Sequence, residues 1–222
     1  MTTPRESPRI SVNKLSEYIT ALPNRRRTIV KQQKRPPTVI VPYYKEAEKI
    51  VVDYLVSFNG DEEWLSTKIQ ELSDKTVTSD WEETKRDICI EAVDSFVEFV
   101  SDLNFNGLRC VAGEPNPEKL SIEGVQVSVR PEIYLQDNGG NVKGCVKLVF
   151  GKGRELSEDE AKYTGTCLQR WMIEFFSVSE HKSCFILDIF GGNCHIAPKA
   201  YKKRLSDIEA ACQEISRAWV NA

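Results

Sequence analysis

Histidine is nearly absent from this 222-residue chain, with His181 and His195 the only two. That scarcity argues against an imidazole-built metal centre. No C-x-x-C pair occurs, and the seven cysteines lie far apart at 89, 110, 145, 167, 184, 194 and 212. Neither a zinc ribbon nor a paired disulfide framework is expected from that odd, scattered set, and a reducing cytoplasm is the expected compartment. No apolar run approaches the ~20 residues of a membrane span, and MTTPRESPRI has no apolar stretch of the secretory kind. The glycine fingerprint of dinucleotide sites, the nucleophile elbow and the kinase motif set are all missing. Gly151-Lys152-Gly153-Arg154 lacks the spacing of a phosphate loop, and the acids that follow it, Glu158, Asp159 and Glu160, already answer the next helix dipole.

What is present is the make-up of a globular domain: 41% hydrophobic and 28% charged residues, long enough for one good core. The charge is uneven. Residues 1–37 carry nine Lys or Arg against Glu6 and Glu17, whereas the whole chain is at −3. Arg25, Arg26, Arg27, Lys31, Lys34 and Arg35 follow one another with no acid between. Such a run suits a phosphate backbone, and it equally suits an acidic protein partner or the acidic remainder of this chain. Lys199, Lys202, Lys203 and Arg204 make a second basic group.

The first 75 residues read as helical, with no strand. A loose tail over 1–10 precedes a stripe at Val12, Leu15, Ile19 and Leu22 that Pro23 closes, then a basic helix to Lys34 and a stiff joint at Pro36-Pro37. Tyr44 to Phe58 is amphipathic, and Asp61 caps a further helix. From about residue 76 helices and strands alternate. Ser79 with Glu82, Ser157 with Glu160, and Ser206 with Glu209 have capping-box spacing and open three helices. The first of these carries Asp87, Glu91, Asp94 and Glu98 on its polar face. Short strands are expected at 107–111 and 194–197, and CFILDIF (184–190), apolar in both phases, reads as an interior strand.

The most informative stretch is Val125 to Phe150. Apolar residues alternate through Val125, Val127, Val129, Ile133 and Leu135, and again through Val142, Val146 and Leu148. Asn138-Gly139-Gly140-Asn141 between them suits a two-residue type I′ hairpin, with both glycines at positive φ. Counting back from that turn sets Tyr134 opposite Cys145 and Glu132 opposite Lys147. On a solvated face such a pair is ordinary and contributes a few tenths to ~1 kcal/mol. Two features point elsewhere: Pro131 marks an irregularity in the strand, and GCVKLVF is apolar enough to be interior.

Pro131-Glu132 followed by Cys145-Val146-Lys147 resembles the Pro-Asp…(Asp/Glu)-X-Lys signature of the PD-(D/E)XK nuclease-like superfamily. The resemblance covers about twenty residues, and the order helix, strands, helix, strand around it agrees. It implies an α/β fold, a mixed β-sheet flanked by helices, over 76–222, preceded by the helical region 1–75. It further implies a nuclease hydrolysing DNA or RNA phosphodiesters with Mg2+ or Mn2+. Glu132 would be the first metal-binding acid and Lys147 the catalytic lysine. Cys145 stands where the second acid belongs, and cysteine is a poor ligand for so hard an ion. Glu91, midway along the first core helix, is the expected replacement as a metal ligand. The competing reading is a catalytically inactive binding module, regulatory or structural, that holds nucleic acid or an acidic protein through Arg25–Arg27, Lys31, Lys34, Arg35, Lys202 and Lys203. The pattern also resembles bacterial proteins with an arginine-rich helix ahead of a nuclease-like core.

Overall fold

The computed structural model describes residues 4–36 and 43–222. The chain opens with strand β1 (Arg9–Ser11). Ser11 then caps helix α1 (Val12–Thr20), accepting from the Lys14 N–H. Pro23 starts α2 (Pro23–Lys34) at the position where its missing N–H costs nothing. After the described residues resume, α3 (Lys45–Asp53) runs into a π-helical turn at Tyr54–Phe58. Asp61 caps α4 (Glu62–Ser73) and Ser79 caps α5 (Asp80–Val100). The strands β2 (Arg109–Ala112), β3 (Leu120–Ile122), β4 (Val125–Ser128), β5 (Ile133–Gln136) and β6 (Val142–Val149) follow. Ser157 and Glu160 close a complete capping box on α6 (Glu158–Phe176). Last come β7 (Cys184–Asp188), β8 (Asn193–Ile196) and α7 (Lys202–Trp219).

The fold is α/β with two sheets. The larger has the order β2-β5-β6-β7-β8, with β6 and β7 parallel and its other pairs antiparallel. The smaller has the order β1-β4-β3, with β1 parallel to β4. Strand parity sends the large sheet's side chains into two cores. Ile133, Leu135, Val146, Leu148, Phe185 and Leu187 face α3, α4 and α5. Tyr134, Cys145, Cys184 and Ile186 face a core shared with α1, α2, α6, α7 and the small sheet. Both cores draw on residues from either side of position 76.

Five expectations need correction. The first 75 residues do contain a strand, since β1 pairs with β4; three residues are too few to show alternation. The tail is held as well, with the Arg5 N–H donating to the Lys34 carbonyl at 2.8 Å. Val125 to Leu135 is not one strand: Arg130 takes a φ of 39°, and the chain passes there from the small sheet to the large one. Leu22 lies beyond α1 and is 79% exposed. Ser206 caps nothing, because α7 already begins at Lys202. Of the Pro36-Pro37 joint, Pro37 lies outside the described residues.

The hairpin turn also differs, in a way that leaves the register intact further down. Asp137 closes the loop, donating its N–H to Asn141 at 3.0 Å and accepting from Gly139 and Asn141 N–H groups at 2.9 Å. The loop therefore has three residues, and of its glycines only Gly140 has a positive φ, 79°. A bulge beside Gln136 takes up the odd residue, so Tyr134 does face Cys145. The two departures cancel.

Candidate functional site

Glu132 stands just ahead of β5, and its backbone is fixed from both sides. Its N–H donates to the Val146 carbonyl at 3.0 Å, and its own carbonyl accepts from Gly113 at 2.8 Å. A side chain at Gly113 would put a Cβ 2.3 Å from the Pro131 carbonyl oxygen, so only glycine permits this approach. Lys147 lies on β6, the middle strand of the larger sheet. Its Nζ sits 2.6 Å from Glu132 Oε1, with side-chain exposures of 8% and 4%. The pair lies on one face of the hairpin, whose opposite face is apolar. It is a buried pair, not a solvated one.

Every part of the pair is engaged. Lys147 Nζ also donates to the Arg130 carbonyl at 3.0 Å. Glu132 Oε2 accepts from the Leu148 N–H at 2.7 Å. Arg130 Nη2 donates to Glu132 Oε1 at 3.1 Å, and the same nitrogen reaches both oxygens of Glu48 on α3 at 2.9 and 3.0 Å. Burial opposes the Arg130 charge, but Glu132 and Glu48 outweigh it and hold its pKa above the ordinary arginine value. Two acids and two bases thus form a closed, neutral chain: Glu48, Arg130, Glu132, Lys147.

The position at which the resemblance calls for a second acid is apolar. Cys145 is fully buried beside Cys184, and burial in the first place, then its neighbouring thiol, pushes its pKa well above the ordinary thiol value. It is a neutral thiol packed in the core. The acid brought near Glu132 is Glu48, and not Glu91. Glu91 is exposed on α5, and its carboxylate lies 2.5 Å from Lys152. Among the described residues, no group of three or more His, Cys, Asp or Glu side chains is placed to hold a metal ion. As arranged, the residues do not fit Mg2+ or Mn2+, because the Glu132 oxygens are taken by three protein donors and the Glu48 carboxylate by a guanidinium.

The network opens on a cleft of about 610 Å³ whose lining includes Lys45, Glu48, Lys85, Glu114, Arg130 and Glu132. A neighbouring cleft of about 430 Å³ adds Tyr43, Tyr44 and Lys147. Glu48 and Arg130 escaped the sequence reading. Arg130 stands two residues before Glu132, a spacing that invites a contact, whereas nothing in the pattern of α3 marks Glu48.

The basic segment divides. Arg25 pairs with Glu17 at 2.6 Å. Arg26 donates to the Ile19 and Ala21 carbonyls, lies over the Tyr18 ring, and reaches Glu214 on α7 at 3.3 Å. Lys34 donates to the Trp219 carbonyl at 2.7 Å. These three hold α2 against the body of the protein. Arg27, Lys31 and Arg35 are exposed and have no ion-pair partner among the described residues. Arg27 and Lys31 stand four residues apart, about 6 Å along one face of α2, and Arg35 follows as its C-cap residue, just past the last helical position. Lys202 and Lys203 are exposed in the first turn of α7. Arg26 meets α7 at Glu214, twelve residues and about 18 Å further along that helix, and Lys34 reaches Trp219 beyond it, so the basic groups form two separate patches. Tyr163 and Gln169 are tied to Asp207 and the Ser179 carbonyl. Asp188 is buried and accepts from the Leu156 and Gly191 N–H groups, a structural role.

No family model matches this chain, and no curated protein matches it.

Proposed function

We propose that this protein is a nuclease-like binding module that does not hydrolyse its partner, and that the partner is nucleic acid, held by its phosphate backbone. The observation that carries this reading is the closure of the motif. A general base or water-positioning lysine has to present an unengaged proton site to the reaction. Lys147 instead spends its charge on Glu132 and a hydrogen bond on the Arg130 carbonyl, at 8% side-chain exposure. The pair links β5 to β6. The Arg27–Lys31–Arg35 series supports the partner, because cations spaced along α2 and its C-cap, with no ion-pair partner among the described residues, match a repeating anion.

Fluorescence anisotropy with duplex DNA, with gel analysis of the same DNA in Mg2+ and Mn2+, tests this. Binding that weakens steeply with salt, with the DNA left intact, is the expected result. Absence of binding at low salt rejects the nucleic-acid partner and favours an acidic protein. Cleavage abolished by Lys147→Ala rejects the non-hydrolytic reading.

One observation favours a second reading, a Mg2+- or Mn2+-dependent phosphodiesterase. Glu48 supplies an acid close to Glu132 that Cys145 does not. It requires Arg130 to leave the space between them, and metal-dependent cleavage lost on Glu48→Gln would establish it.

A further inference from the structure

We infer that Arg130 is the resident cation of this site, and that its guanidinium keeps Glu48 and Glu132 from taking up a divalent ion. One nitrogen, Nη2, lies 2.9 and 3.0 Å from the two Glu48 oxygens and 3.1 Å from Glu132 Oε1. A positive group bonded to both carboxylates at once occupies the place where an ion bridging them would have to sit. The other Glu132 oxygen is closed off by the Leu148 N–H.

The backbone shows that this position is held at a cost. Arg130 adopts a φ of 39°, a left-handed conformation that bulky side chains avoid. The following Pro131 further restricts what Arg130 can adopt. Its carbonyl accepts from Lys147 while its side chain bridges two acids, so contacts at both ends hold the strained residue in place. Glycine would relax that backbone, yet would lose the charge.

The charge accounting agrees. With Arg130 in place the four groups are neutral. Without it, two carboxylates face one lysine. Arginine stays protonated at any pH the fold survives, so the seat is not emptied by titration. Mg2+ and Mn2+ need few protein oxygens, often one or two carboxylates with the rest water, and Arg130 is the donor bonded to both carboxylates, whereas Lys147 and the Leu148 N–H bond Glu132 alone. This inference rests on the non-hydrolytic reading of the motif and is independent of which partner α2 takes.

The test is direct Mn2+ binding, followed by electron paramagnetic resonance and by the metal's effect on the melting temperature. Wild type, Arg130→Gly, and Arg130→Gly with Glu48→Gln are compared. Arg130→Asn serves as a second single variant, since asparagine also tolerates positive φ. The expected result is no site-specific Mn2+ in the wild type. One ion per chain and a raised melting temperature are expected in both single variants, with binding lost in the double variant. Wild-type protein that binds Mn2+ at a site abolished by Glu132→Gln overturns the inference. So does an Arg130→Gly protein that melts cooperatively and binds no ion. Duplex binding measured in chelator, on the same samples, keeps the two proposals apart: its absence counts against the nucleic-acid partner alone.

Discussion

Glu48 and Glu132, one on α3 and the other at the head of β5, accept from the same guanidinium nitrogen of Arg130. Through that shared donor the N-terminal helices are tied to the hairpin that carries Glu132 and Lys147. Lys147 completes the chain of charges from beneath. Most of the behaviour expected of this site follows from its being closed.

Removing one partner of the buried pair should be far more damaging than a surface pair would predict. Lys147→Ala leaves the Glu132 carboxylate buried without its main counter-charge, and such a loss costs ~3–5 kcal/mol. A solvated cross-strand pair is worth at most ~1 kcal/mol. Urea denaturation of Lys147→Ala distinguishes the two. The double variant Glu132→Gln, Lys147→Met should recover much of the loss, because no isolated charge remains. A single-variant loss below ~1 kcal/mol would return the pair to the solvated class.

Placing an acid at position 145 should not create a metal site. Cys145→Asp would place a carboxylate at a position with no solvent exposure, next to Glu132. Desolvation and like-charge repulsion both oppose it. The expected outcome is a large fall in melting temperature or insoluble protein, with no Mn2+-dependent cleavage. A stable, metal-binding Cys145→Asp protein would show that the space accommodates an ion after all.

The exposed stripe on α2 should set the salt dependence of DNA binding. If Arg27, Lys31 and Arg35 each neutralise one duplex phosphate, replacing all three with alanine lowers the log–log salt slope by about 2.7. Arg25 and Arg26 are committed to Glu17 and Glu214, so replacing those two should lower the melting temperature more than it alters the slope. An unchanged slope in the triple variant would exclude the stripe.

Glu17 gives the fold an acid limit. Burial raises its pKa, but hydrogen bonds from Lys14 and Arg25 and the Arg154 charge outweigh that, leaving it below its ordinary 4.5. A carboxylate depressed on folding adds stability that is complete above its unfolded pKa and is lost as pH falls through the folded value. Stability should therefore drop as pH falls below about 4.5, and Glu17→Gln should flatten that drop while weakening the protein at neutral pH. Thermal melts of both proteins from pH 7 down to pH 3 check this; parallel curves would show that other carboxylates set the limit.

Much of the hairpin could be read locally. Side chains in a strand alternate, so apolar Ile133, Leu135, Val146 and Leu148 were bound to share one face and Glu132 and Lys147 the other. The helix ends with a Ser–x–x–Glu pattern were equally legible at Ser157, where the whole capping interaction lies within four residues. At Ser206 the same pattern misled, because α7 extends toward the N-terminus beyond it. Local chemistry permits a start there without requiring one.

Burial, pairing and charge balance belong to the tertiary structure. Whether the Glu132–Lys147 pair is wet or covered depends on Arg130 and the start of α3, distant in sequence, closing around it, and alternation is silent on what covers a face. That Glu48 and not Glu91 approaches Glu132 is a contact between distant segments, made where α3 meets the head of β5. Each acid sits on a helix, and nothing in its neighbouring sequence says which will meet Glu132. The basic run of α2 is uniform in sequence, yet Arg25, Arg26 and Lys34 turn inward to acceptors on α1 and α7 while Arg27, Lys31 and Arg35 stay exposed. A helix's periodicity says which residues share a side; only the packing of its neighbours settles which of those sides meets water.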